Sequence, residues 1–208
     1  MSRFRTAVPR RWRAMAAAVV ASLACAAPAS AYTLPDLYGG QDSTCFWNVG
    51  VINGGTINIA YPDAGANYWA AGYTLPPGAT LRIHGEYPHA RFVSVQSYDL
   101  LGAGVDALND SMIEPDPGSA NPFRPGVPRD VTRRAFTVTL ADSSPAAPLA
   151  ADQRAGQPAR NVLDTKPVGD TTGLHTVLWR VYVPDRGRGL RGGVPLPEPE
   201  LTLADGRV

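Results

Sequence analysis

Turn-forming residues are packed so densely after residue 31 that long helices have little room. All 21 glycines and 18 of the 20 prolines fall in residues 32–208, and clusters of these residues punctuate regular elements. The pieces between them alternate as strands do. CFWNVGVI (45–52) and TINIAY (56–61) flank Asn53-Gly54-Gly55, where positive backbone φ angles favour a hairpin. NYWAAGY (67–73) and ATLRIH (79–84) are separated by Leu75-Pro76-Pro77-Gly78, a turn by composition. RFVSVQSYD (91–99) is apolar or aromatic on both parities, as a central strand is. AFTVTLAD (135–142) and HTVLWRVYV (175–183) alternate cleanly, and a last short strand is expected at Leu201–Leu203. A set of short strands at this spacing predicts an all-β fold, a single antiparallel β-sandwich or jelly roll. Residues 142–170 lack strand periodicity and read as a long Pro/Ala-rich surface loop, with one helical turn around Pro148–Arg154.

The first 31 residues belong to a different object. Five arginines (Arg3, Arg5, Arg10, Arg11, Arg13) precede an uncharged apolar run, AMAAAVVASLACAA, and then Ala29-Ser30-Ala31. That order is a secretory signal peptide with cleavage expected after Ala31. The apolar run is shorter than the roughly 20 residues a membrane-spanning helix needs. An expectation of export to the medium, periplasm or envelope follows, leaving 32–208 as one domain without a transmembrane segment. Lipidation at Cys25 is a minor alternative. Eighteen arginines against one lysine, with abundant alanine, suggest a high-GC bacterial source.

Removing the leader changes the charge from +1 to −4, because 14 basic side chains then face 18 acidic ones. A body of that sign has no excess charge for neutralising phosphates, so nucleic-acid binding is not expected. The mature chain keeps one thiol, Cys45, and no internal disulfide. Alternation with Trp47, Val49 and Val51 places Cys45 in the core as a small hydrophobe.

Three segments carry a family resemblance. RFVSVQSYD (91–99), DSMIEPDPGSANPF (110–123), and WRVYVPD (179–185) followed by GGVPLP (192–197) resemble secreted bacterial proteins related to the β-sandwich domain of unknown function numbered 1214. The resemblance runs from about Trp69 to Leu203. It implies a sandwich or jelly roll and brings no agreed activity.

The common catalytic signatures are absent from the sequence. There is no Gly-x-Ser-x-Gly, Ser-x-x-Lys, phosphate-binding P-loop, dinucleotide fingerprint or Cys-x-x-Cys. Two metal readings exist. His84, Glu86 and His89, or His84 and Glu86 with the distant His175, have the ligand types of a transition-metal site. Asp99, Asp106, Asn109, Asp110, Glu114 and Asp116 offer six oxygen donors of the kind Ca²⁺ takes, without EF-hand spacing. Neither is favoured, so no cofactor is assigned. A third set is aromatic and polar. Tyr98-Asp99 closes one central strand and Trp179-Arg180-x-Tyr182 lies on another, which suits sugar or small apolar ligands. Arg91 and Arg180, if central, each need a carboxylate, with Asp99 and Asp110 the candidates.

The sequence therefore predicts an exported, non-catalytic binding or interaction module with Tyr98, Asp99, Arg180 and Tyr182 at its surface. A small ligand, a glycan or an envelope component would be its partner. One alternative is a metal-dependent enzyme on a jelly roll using His84, Glu86 and His89 or His175. Another is a structural envelope protein.

Overall fold

The computed structural model describes residues 42–55, 63–145 and 161–208. The leader, the expected strand over 56–61 and the helical turn near Pro148 lie outside the described residues. Nine strands are present among those described: β1 (Val51–Ile52), β2 (Ala66–Thr74), β3 (Thr80–Glu86), β4 (Ala90–Tyr98), β5 (Gly104–Asn109), β6 (Ala135–Ala141), β7 (Val162–Asp164), β8 (Leu174–Pro184) and β9 (Glu198–Thr202). They form a five-stranded sheet in the order β1-β2-β8-β4-β5 and a four-stranded sheet in the order β7-β6-β3-β9. The fold is an all-β sandwich. Every pairing is antiparallel except β6 with β7. Among the described residues no helix is long and apolar enough to cross a membrane.

Alternation fixes which side chains meet between the sheets. Trp69, Trp179, Val95 and Leu108 lie side by side on adjacent strands, all at most 1% exposed. Ile83, Phe136, Val138 and Leu140 of the other sheet complete the core. Phe136 stacks on Trp179 at 5.7 Å between ring centroids, joining the two layers. Gly85 makes room for that ring, because a Cβ there would lie 2.6 Å from Phe136 Cζ.

The turn Leu75–Gly78 carries the chain from β2 in one sheet to β3 in the other rather than closing a hairpin. Gly78 has φ 74, and Ala79 N donates to Pro76 O at 3.0 Å. β5 was not expected; it occupies the acidic stretch after Asp99. β7 was not expected either, and it lies within the stretch read as loop. Leu163 of β7 is fully buried, which supplies an apolar anchor for a strand too short to show a period.

The placing of Cys45 must be corrected. Cys45 is exposed, because residues 43–50 turn instead of extending. Trp47 N donates to Thr44 Oγ1 at 3.0 Å, Asn48 N to Phe46 O at 2.9 Å, and Gly50 takes φ 73. Trp47 turns inward, fully buried, with its indole N–H donating to Pro197 O at 2.7 Å. Alternation through this segment therefore does not exist, and Cys45 loses the inward direction inferred from it.

Candidate functional site

The outer face of the five-stranded sheet gathers most of the predicted binding residues. Residues opposite one another on neighbouring strands point to the same side. Tyr68, Arg180, Ser94 and Asn109 form one such row, and Ala66, Tyr182 and Phe92 the next. Tyr98 lies opposite Thr176 further along. All these rings are half-buried, with the small residues Ala66, Ala70 and Gly72 beside them on β2.

Arg180 is the centre of the group. Its guanidinium carbon lies 5.2 Å from the Tyr182 ring centroid, 5.4 Å from Tyr68 and 5.7 Å from Phe92. Each distance is within the range of a cation–π attraction. Nε is buried without a hydrogen-bond partner, as is Ser94 Oγ on the facing strand. No carboxylate among the described residues pairs with Arg180, so the ion pair expected with Asp99 or Asp110 is corrected. Aromatic faces hold the cation instead. Arg91, the other arginine expected to need a carboxylate, is exposed and needs none.

Backbone geometry helps to set Tyr182. Gly65 lies beneath it, where a Cβ would be 3.1 Å from Tyr182 Cε2. Val183, next in the chain, has φ 46 and donates from its amide to Gly65 O at 2.7 Å. A β-branched residue in that region costs about 1–3 kcal/mol. Tyr98 donates its hydroxyl to Gln96 Oε1, and burial pushes its phenol above the usual range, with Arg180 opposing.

Asp99 is not part of this face. Its carboxylate accepts from Leu101 N at 2.8 Å and Ala103 N at 2.7 Å, closing the β4–β5 turn in which Gly102 takes φ 84. The other acidic-loop candidates are likewise occupied separately. Asp106 is buried and accepts from Ala107 N and Asp164 N. Asn109 caps the 3-10 turn Asp110–Met112. Glu114 pairs with Arg124 at 2.7 Å, and Asp116 accepts from Thr137 Oγ1 at 3.1 Å. The six oxygens do not converge on one cation.

Nor do the histidines converge. His84 and Glu86 are on β3 in the four-stranded sheet. His84 Nδ1 lies 3.0 Å from Thr137 Oγ1 and Nε2 lies 3.6 Å from Glu200. Thr137 donates its hydroxyl proton to Asp116, so the ring must donate from Nδ1. His89 is in the β3–β4 turn. His175 is 1% exposed on the inner side of the other sheet, stacked on Tyr73 with centroids 5.2 Å apart. Among the described residues no three His, Cys, Asp or Glu side chains are grouped to hold a metal ion.

Asp110 provides a prediction of its own. Burial raises its carboxyl to about 6, although the Ser111 and Val93 amides and Arg129 pull the other way. The folded chain then binds more protons than the unfolded chain between about pH 4 and 6. Its contribution is fully favourable below the unfolded value and is lost as pH rises through about 6. Asp110→Asn keeps an acceptor for Ser111 and removes the ionisation. It should raise stability by about 1–2 kcal/mol near pH 7.5 and leave it unchanged near pH 4. Thermal unfolding at both pH values measures this, and an equal gain at each would reject the linkage.

Sequence reasoning missed Tyr68 and Phe92. Phe92 shares a parity with Tyr98 on β4 and was visible as such. Tyr68 joins only through the β2–β8 register.

The chain matches no family model and no curated protein. Among solved structures it is similar to an uncharacterised protein from Burkholderia cenocepacia, at 14% identity and a TM-score of 0.46. The match covers 74% of this chain and 34% of that one. The chain thus spans about a third of its solved neighbour.

Proposed function

We propose that this chain is an exported, non-catalytic recognition module that binds a glycan on the outer face of the five-stranded sheet. The observation that carries the reading is the Arg180 guanidinium, set among three aromatic rings with no carboxylate partner among the described residues. Tyr68, Phe92 and Tyr182 offer rings on which the apolar face of a sugar can stack, and Arg180 supplies donors for its hydroxyls. A rigid sheet holds these groups in place, so little ordering entropy is lost on binding. Export is supported by the basic leader followed by Ala29-Ser30-Ala31. The resemblance to secreted sandwich proteins numbered 1214 supports the same setting.

Affinity electrophoresis against a panel of neutral and uronic-acid polysaccharides tests the reading. Wild-type chain should be retarded by at least one member. Arg180→Ala and Tyr182→Ala should each weaken that retardation about tenfold or more, as hot-spot residues do. Arg180→Lys should also fail, because an ammonium lacks the planar fork that stacks on rings. Unchanged thermal stability would show that the variants fold. Retardation of all four proteins alike, or of none, would reject the proposal.

A further inference from the structure

The end of the sandwich near the β3–β4 turn carries a second set of groups, which uses none of the residues around Arg180. Three loops are tied together there by backbone bonds. Tyr87 N donates to Arg134 O at 2.9 Å, His89 N to Gly192 O at 2.8 Å, and Asp185 N to His89 O at 2.8 Å. Residues 86–91, 129–134 and 185–191 therefore meet. They contain seven arginines (91, 129, 133, 134, 186, 188 and 191) against three carboxylates, Glu86, Asp130 and Asp185, and only Arg191 of the seven is paired from outside these segments, by Asp42, among the described residues. An otherwise acidic body is basic at this end.

Arg134 lies at the base of the cluster and is 4% exposed. Nε donates to Val131 O at 3.1 Å and Nη2 to Arg129 O at 2.7 Å, but Nη1 is buried without a partner. Among the described residues no carboxylate is within ion-pair distance of it. A buried guanidinium is ordinarily paired, because desolvating a charge costs several kcal/mol. Here the surroundings add positive charge. Arg129 is exposed beside it, fixed by a bond to Ala90 O and by the Phe123 ring at 5.6 Å. The stem of exposed Arg188 crosses Gly193, where a Cβ would be 2.9 Å from Arg188 Cδ. Burial lowers the Arg134 pKa, and Arg188 and Arg129 lower it further, with Glu86 and Asp185 opposing. His89 is lowered by burial and by the same three arginines, with Asp185 again opposing.

We propose that Arg134, Arg129 and Arg188 form a binding site for a tetrahedral oxyanion, a phosphate or sulfate group, with Arg134 Nη1 as its innermost donor. Such an anion would satisfy the orphaned N–H and offset the crowding of like charges. Donors arriving from separate segments suit the oxygens of a tetrahedral group better than a planar carboxylate. The group comes either as the free ion or as an ester on a small molecule.

Thermal unfolding and titration calorimetry of the full chain provide the test. Sodium phosphate and sodium sulfate are compared with sodium chloride and sodium acetate at equal ionic strength. Phosphate or sulfate should raise the Tm by several degrees in a saturable way, and chloride and acetate should not. Arg188→Ala and Arg129→Ala, both at exposed positions, should weaken the apparent affinity tenfold or more. Arg134→Met should abolish the response; if it fails to fold, the two exposed variants still decide. Glucose 6-phosphate distinguishes the sources. Tighter binding than inorganic phosphate points to an ester and weaker binding to the free ion, and either supports the site. A shift shared by chloride or acetate, a response unchanged in Arg188→Ala and Arg129→Ala, or no response in wild type overturns the proposal.

Discussion

Trp179→Ala should destabilise the chain by about 3–5 kcal/mol. Trp179 is 1% exposed on β8, between Trp69 of β2 and Val95 of β4, and it stacks on Phe136 across the sandwich. Truncation removes the apolar area of the indole and leaves a cavity beneath a ring that belongs to the other sheet. β8 is central, so the surrounding backbone is pinned on both edges and cannot collapse into the space. A loss of that size is a large part of the roughly 5–15 kcal/mol that holds a typical domain together. Urea unfolding should show a much lower midpoint with little change in slope, or a chain already unfolded in water. Trp179→Phe retains the ring and most of the volume, and it should cost less than half as much. A Trp179→Ala loss below about 1 kcal/mol would mean that the sheets do not depend on this contact.

The strands that could be read from the sequence are those whose burial follows the period-two pattern over many residues. β6 alternates without a break from Ala135 to Ala141, and in β8 every residue from Thr176 to Tyr182 obeys it. β4 looked buried on both sides, and Val93, Ser94 and Val95 are indeed all buried. The elements that were missed break the pattern for physical reasons. β5 turns a carboxylate, Asp106, toward the core, where hydropathy predicts none. β7 has three residues and owes its place to tertiary bonds rather than to local preference. The segment before β1 alternates in sequence, but Gly50 and a Thr44–Trp47 turn bend it, which exposes Cys45. The candidate surface divides in the same way. Arg180 and Tyr182 follow from the alternation of one strand, and Tyr98, named as the end of another, shares their face. Asp99, expected at the end of the same strand as Tyr98, instead closes a turn. That aromatic faces rather than a carboxylate hold Arg180 depends on Tyr68, a residue distant in the chain that strand register brings alongside. Neither composition nor charge counting carries that information.

Asp106 should be the other position of large effect. It is 4% exposed on β5, and its two carboxylate oxygens serve different parts of the fold. Oδ1 accepts from Ala107 N at 2.7 Å, and Oδ2 accepts from Asp164 N at 2.9 Å. Asp164 belongs to β7, in the opposite sheet. Ser97 on β4 joins the same link, donating to Asp164 O at 2.6 Å and accepting from Asp106 N at 3.0 Å. The open edges of the two sheets are thereby fastened by hydrogen bonds in addition to the apolar packing of Leu163. Asp106→Ala leaves the half-buried Asp164 amide without its acceptor and removes a charge-assisted bond, a combined loss of about 2–4 kcal/mol. Asp106→Asn keeps one oxygen acceptor but brings an amide N–H₂ that needs partners of its own, and it should cost about 1–2 kcal/mol. Chemical denaturation gives both values. Hydrogen exchange locates the effect: the Asp164 and Thr165 amides should lose protection in Asp106→Ala far more than amides of β8. If their protection stays at the wild-type level, β7 is held by Leu163 and its pairing with β6 alone, and the carboxylate is not what joins the edges.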